Sequence, residues 1–247
     1  MNRTDLAMEA AEMLSDKSGI KVLSRNVGGV RITDVRISGT DGKPTKRAGR
    51  YITLEGEPYA QSMTGLLRRA LEQLIPKEGR LLAAGLGNPD VTYDAFGALA
   101  VRSICAGKGR RFEMSAIETD VAARTGIETA ALIRAASGEI CADCIIAVDS
   151  LACRNPHYIG RTVQITDAGI TPGSGVGGDR AELSVRTTGV PTVVIGVPTM
   201  TELSAVTRRE GDRGFAVTTA DINVTVRLWA ETAAAALNEL TRLAHSE

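Results

Sequence analysis

Apolar and polar positions along the chain alternate between two kinds of repeat. Within the first 25 residues, Leu6, Ala7, Ala10, Ala11 and Leu14 recur near helical spacing, which predicts an amphipathic helix. Residues 30–37 and 50–54 follow as two short β-like runs, joined by a Gly/Lys/Pro-rich stretch, 38–49, that reads as an exposed loop. Residues 60–74 predict a helix that stops before Pro76. From Arg80 the texture changes. The small apolar run Leu82-Ala83-Ala84-Gly85-Leu86-Gly87-Asn88 stops at a turn, as a buried parallel strand does. Residues 95–106 then predict a helix, 112–117 a strand and 126–137 another helix. Cys144-Ile145-Ile146-Ala147-Val148-Asp149 and Thr192-Val193-Val194-Ile195-Gly196-Val197 are two further buried runs, and 230–244 is a closing Ala/Leu-rich helix. Strands alternating with helices predict an α/β fold, with βαβ units around a largely parallel twisted sheet flanked by helices. Residues 1–247 carry no internal repeat or linker and are expected to form one domain with a short β-containing N-terminal extension.

Composition narrows the class. Hydrophobic residues make up 43% and charged residues 23%, which is globular rather than disordered. Aromatics are only 3%, so Val, Ile, Leu and Ala must build the core. Lys+Arg and Asp+Glu balance at 29 each, and such neutrality gives no long-range attraction for phosphate backbones. Direct nucleic-acid binding is not expected. No run approaches the roughly 18 apolar residues of a membrane helix. Arg3, Asp5, Glu9 and Glu12 interrupt the N-terminal apolar positions, unlike a secretory signal. Four cysteines do not make a disulfide framework in a chain of this size. A cytoplasmic protein without membrane partners is expected.

In open α/β sheets, sites lie beyond the carboxyl ends of the strands. Two acids stand there: Asp149 closes the apolar run 145–148, and Asp94 lies in the turn after the strand at 82–86. If those strands are neighbours, the two carboxylates meet at one edge of the sheet. Two such groups close together do not both ionise easily, so the pair can act as acid and base and activate a water. The plainer reading is that an Asp at a strand end serves as a helix cap or a turn residue, and Asp94 is well placed to cap. Residues 173–178 spell G-x-G-x-x-G, but late in the chain and followed by Asp179, so a tight loop near the substrate is favoured over a dinucleotide site. Cys141-Ala142-Asp143-Cys144 lacks the second pair a structural zinc wants. His157 stands alone as a triad candidate.

Several strings in this order resemble the germination proteases of spore-forming bacteria. They are Arg3-Thr4-Asp5-Leu6-Ala7, Gly49-Arg50-Tyr51-Ile52-Thr53-Leu54-Glu55, Gly85-Leu86-Gly87-Asn88 with Asp94-Ala95-Phe96-Gly97, Thr125-Gly126-Ile127-Glu128-Thr129, Ala147-Val148-Asp149-Ser150-Leu151-Ala152, Gln164-Ile165-Thr166-Asp167-Ala168-Gly169-Ile170 with Pro172-Gly173-Ser174-Gly175, and Ile195-Gly196-Val197-Pro198-Thr199. The resemblance implies an endopeptidase of atypical aspartic type that begins the degradation of small acid-soluble DNA-coating spore proteins at germination, in the spore core. It places the essential aspartates at Asp94 and Asp149. It also implies a zymogen that cuts itself, here at Asp5-Leu6, with residues 1–5 as a short propeptide. Asn88, Glu128, Asp167, Gly173, Ser174 and Gly175 are the residues it suggests around the pair or in a substrate loop. A homo-oligomer is expected, with the relatives' tetramer as the guide, and no cofactor.

Three departures stand out. Residues 119–124 differ from the family's usual run, Cys153 replaces Ala or Ser, and the chain ends after one helix where many relatives continue. The sheet and both acids are more distantly similar to hydrogenase maturation endopeptidases, with their hydrolase-like α/β fold. On that alternative a divalent metal sits at Asp94 and Asp149 and polarises the carbonyl or activates water. A non-catalytic protein-binding module and a nucleotide-dependent enzyme are the remaining alternatives.

Overall fold

A computed structural model of the chain describes residues 4–14, 18–38, 46–60, 62–173 and 181–241. Their strands join in one sheet. The strands are β1 (Ile20–Val27), β2 (Val30–Ile37), β3 (Gly49–Glu55), β4 (Gly79–Gly85), β5 (Gly107–Lys108), β6 (Phe112–Glu118), β7 (Cys144–Cys153), β8 (Thr162–Thr166), β9 (Thr192–Glu202) and β10 (Ala216–Val217). The helices are α1 (Ala7–Met13), α2 (Met63–Leu71), α3 (Phe96–Arg102), α4 (Ala122–Thr125), α5 (Thr129–Glu139), α6 (Val185–Thr188), α7 (Leu203–Thr207) and α8 (Ile222–Thr241).

The sheet order is β1-β2-β3-β8-β9-β7-β4-β6-β5, with β10 added to the far end of β9. The α/β reading holds, and its parallel part is the four neighbours β9, β7, β4 and β6. The flanking strands are antiparallel: β1, β2, β3 and β8 on one side, β5 on the other. The difference follows from connection length. The parallel strands are joined through helices, whereas a Gly28-Gly29 turn folds β1 straight back onto β2.

Both faces of the parallel centre are covered, which is why its strands read as unbroken apolar runs. On one face α2, α3 and α8 pack together, bringing Phe96, Leu67 and Trp229 over Leu81, Ile146 and Ile195. Trp229 is fully buried and its indole N–H donates to the Gly160 carbonyl at 2.7 Å, so the one polar atom of this large ring is satisfied. On the other face Ile133 of α5 and Leu183 close over Leu82, Ala84, Ile145 and Ala147. Among the described residues no helix is long and apolar enough to cross a membrane.

Three local expectations are corrected. The amphipathic pattern read within the first 25 residues is helix only at α1, and from Ile20 the chain is strand β1, whose residues are almost all exposed and so show no one-sided pattern. β8 (Thr-Val-Gln-Ile-Thr) is a buried strand that the sequence reading passed over, because its Thr and Gln break the apolar run. Asp149 does not end its strand: β7 runs on to Cys153, sustained by pairing with β9.

Candidate active site

The site begins where neighbouring strands differ in length. β4 stops at Gly85, level with Val148, and Asp149 is the first residue of β7 beyond that point. Leu86 still donates its N–H to the Val148 carbonyl at 2.8 Å before the chain leaves the sheet. At Gly87 the backbone takes φ +97°, a conformation side-chain-bearing residues rarely adopt, and turns through a 3₁₀ turn (Thr92–Asp94) into α3. Gly97, in the first turn of α3, lets the helix start directly on the strand ends. A Cβ there would lie 2.2 Å from the Val148 carbonyl oxygen and 2.4 Å from that of Leu86.

This geometry fixes Asp94. Its Oδ2 accepts the Asn88 N–H at 2.8 Å, closing the turn on itself. Asp94 does not cap α3, whose N-cap is Ala95 and has no side-chain cap bond. Asp149 is buried at 4% exposure, and its Oδ1 accepts the Ser150 N–H at 3.0 Å. Both aspartates line one cleft of about 340 Å³, together with Asp5, Asn88 and Gly173. β4, which leads into the turn that holds Asp94, and β7, which carries Asp149, are neighbouring parallel strands.

The N-terminal segment reaches into the same cleft. Past the end of β4, one edge of β7 has no strand beside it among the described residues, and Asp5 lies there. Asp5 donates its N–H to the Ala152 carbonyl at 2.8 Å, and its Oδ2 accepts the Ala152 N–H at 2.9 Å. Lys46 Nζ stands 3.8 Å from Asp5 Oδ1. Burial lowers the Lys46 ammonium below its ordinary value, and Asp5 pulls it back up. Leu6, the next residue, is fully buried and leads into α1. Glu9 of α1, also buried, accepts the main-chain N–H groups of Arg154 at 2.9 Å and Asn155 at 2.6 Å and the Thr4 hydroxyl. A carboxylate holding two backbone donors pins α1 to the turn after β7.

The other candidates scatter. Asn88 belongs to the cleft, and its Oδ1 accepts from Asp90 N–H at 3.0 Å and Arg124 at 3.3 Å. Glu128 is exposed at the start of α5 and Asp167 is exposed at the end of β8, where it accepts the Arg50 N–H at 2.7 Å. Neither lines the cleft. Ser174 and Gly175 lie outside the described residues, as does the 173–178 loop beyond Gly173. His157 is exposed, 3.5 Å from Glu55. Burial pushes the Cys144 thiol up to about 12, the behaviour of a small hydrophobe, while Cys141 is exposed. Among the described residues no group of three or more His, Cys, Asp or Glu is placed to share a metal ion. One residue that the sequence reading left without a role, Gln164 of β8, is buried and touches the segment on both sides of the Asp5-Leu6 bond. Its local signal was a long amide side chain in mid-strand.

The family model described as germination protease matches residues 1–212. The germination protease of Bacillus cytotoxicus is 36% identical over 237 residues, covering 83% of this chain and 64% of that relative. That of Clostridium tetani is 34% identical over 232 residues, covering 83% of this chain and 72% of the relative. The chain thus spans 64% of the length of the Bacillus relative it matches. Among solved structures, a [NiFe] hydrogenase maturation protease from Thermococcus kodakarensis KOD1 aligns with a TM-score of 0.42 at 20% identity, covering 68% of this chain and 98% of that one. On the extent of the family match and the identity to these relatives, the chain belongs to the germination protease family.

Proposed function

We propose that the chain is an endopeptidase that opens the degradation of small acid-soluble spore proteins during germination, using Asp94 and Asp149 to activate water. The observation that carries this reading is the shared cleft: both carboxylates line it, at the carboxyl end of neighbouring parallel strands. One carboxylate takes a proton from water as the oxygen attacks the peptide carbonyl, and a protonated carboxyl of the pair returns one to the departing amine. The pair titrates as a unit, so the roles of base and acid belong to the dyad.

The chain is made as a zymogen on this reading, with Asp5-Leu6 as the bond it cuts in itself. Support comes from Asp5, which lies against β7 in the cleft with the two aspartates and would obstruct an incoming chain there. Cleavage leaves α1 docked, because Leu6, Ala7 and Glu9 are buried.

The test is incubation of wild type, a form starting at Leu6, and the two single variants Asp94→Asn and Asp149→Asn with a small acid-soluble spore protein, read by intact mass. The reading requires cleavage by the Leu6 form and by neither variant. An intact substrate with the Leu6 form ends it.

A further inference from the structure

Gln164 occupies a position in the sheet that ties it to Asp149. It pairs with Gly196 of β9, and Gly196 pairs on its other side with Asp149 of β7. Residues in lateral register point to the same face, so the Gln164 amide and the Asp149 carboxylate rise from one side of the sheet. Two strand spacings put their backbones roughly 10 Å apart, with a glycine between them. Leu151 leans over that glycine, its Cδ1 lying 2.4 Å from where a Cβ would be.

The Gln164 amide is engaged at both ends by one short piece of chain. Its Nε2 donates to the Asp5 carbonyl at 3.1 Å, and its Oε1 accepts the Ala7 N–H at 2.7 Å. These two contacts straddle the Asp5-Leu6 peptide bond. The buried side chain is held in β8 by strand pairing on both flanks, to Thr53 and to Gly196, so the clamp is rigid. A rigid donor already aimed at a carbonyl oxygen gains strength when that oxygen becomes negative, which is the condition for lowering a barrier rather than merely binding.

We propose that Gln164 is a catalytic residue that holds the carbonyl of the bond to be cut and stabilises its oxyanion, while its Oε1 sets the register by gripping the residue two positions on. The inference rests on the reading above, that the aspartate pair cuts Asp5-Leu6. In the step, a water oxygen bonds to the Asp5 carbonyl carbon as one carboxylate takes its proton. The carbonyl π pair moves to oxygen, where the Gln164 N–H meets it. Collapse re-forms C=O and breaks the C–N bond, and the Leu6 nitrogen leaves with a proton from the pair. The products are a carboxyl at Asp5 and an amine at Leu6.

Gln164→Glu isolates the claim. It keeps an oxygen for the Ala7 N–H but, when ionised, offers the Asp5 carbonyl a negative acceptor in place of a donor. Loss of residues 1–5 from the full chain is followed by intact mass for wild type, Gln164→Glu, Gln164→Leu, Asp94→Asn and Asp149→Asn, with a small acid-soluble spore protein as a substrate in trans and thermal melts alongside. We expect Gln164→Glu to be about 10²-fold slower than wild type near neutral pH, as for loss of an oxyanion donor. Its rate relative to wild type at the same pH should recover about tenfold or more towards pH ~4, where a glutamic acid regains an O–H donor. Gln164→Leu should be as slow at every pH. A Gln164→Glu to wild-type ratio near one at neutral pH, or a low ratio that stays flat with pH, overturns the clamp. Wild type that cuts the substrate in trans but leaves Asp5-Leu6 intact also overturns it, and leaves the aspartate reading standing. Cleavage surviving both aspartate substitutions instead removes the aspartate reading, and Gln164 is still judged by its own ratio.

Discussion

Gly87→Ala should disable the site far more than it destabilises the fold. Gly87 has φ +97°, and an alanine forced into such a conformation costs about 1–2 kcal/mol. The added Cβ would also lie 2.1 Å from the Asp94 carbonyl oxygen and 2.9 Å from its Oδ1, where ordinary contact begins at 3.4 Å. Something must yield by more than an ångström, and the opposing atom is backbone of the turn that carries the carboxylate. Taken together, a stability loss of about 2–3 kcal/mol is expected, or a melting-temperature drop of roughly 4–12 °C for a chain of this size. A displacement on the order of 1 Å at a catalytic group costs about 10²-fold in rate. The assay is cleavage rate by intact mass together with thermal melts, with Gly189→Ala as the control. Gly189 also has positive φ, +75°, but a Cβ there meets nothing within 4 Å, so it should lose stability by about 1 kcal/mol and keep its rate. If Gly87→Ala cuts within about threefold of wild type, the close approach of Gly87 to Asp94 does not govern the site and the reasoning fails.

Three further outcomes follow from single contacts. Glu9→Ala strands the Arg154 and Asn155 N–H groups and should cost about 2–4 kcal/mol in denaturant melts; a loss under about 0.5 kcal/mol would show that α1 is not held by this carboxylate. Burial alone would raise the Asp34 carboxyl, but the hydrogen bond and charge of Arg50, with Arg36 behind it, hold it below the usual carboxylate range. A lowered folded-state value means its stabilisation is present above the unfolded carboxylate range and is lost as pH falls through the folded one. Asp34→Asn should therefore melt below wild type at pH ~7 and level with it near pH ~2, and an equal gap at both would refute the pairing. Chelation tests the metal alternative: cleavage should survive excess EDTA, and activity lost and then restored by a divalent ion would replace the metal-free dyad with a metal site.

The parallel centre was legible because both its faces are buried. β4, the first half of β7 and β9 could only read as Leu, Val, Ile and Ala runs, and the acid that closes one run, with the acid in the turn after another, marked the cleft. Strand β1 was not legible, since seven of its eight residues are exposed and its pairing partner β2 lies across the Gly28-Gly29 turn. Nor could the sequence reveal that β7 continues past Asp149, because that depends on β9 being equally long. The Asp5–Ala152 and Ala7–Gln164 contacts join residues about 150 positions apart, where no local periodicity speaks. Glu128 and Asp167 show the reverse case: their strings are among those that resemble the family, while the structure places both acids on the surface, outside the lining of the cleft.

The central claim is that Asp94 and Asp149 together activate the water. The direct measurement is the cleavage rate of a small acid-soluble spore protein by Leu6-starting protein, by its Asp94→Asn form and by its Asp149→Asn form. Each would be taken at a temperature where melts show all three folded. The account predicts a loss of at least about 10²–10⁴-fold for either substitution, the range for removing a general acid or base. Either variant cutting within about tenfold of the unsubstituted protein would contradict it.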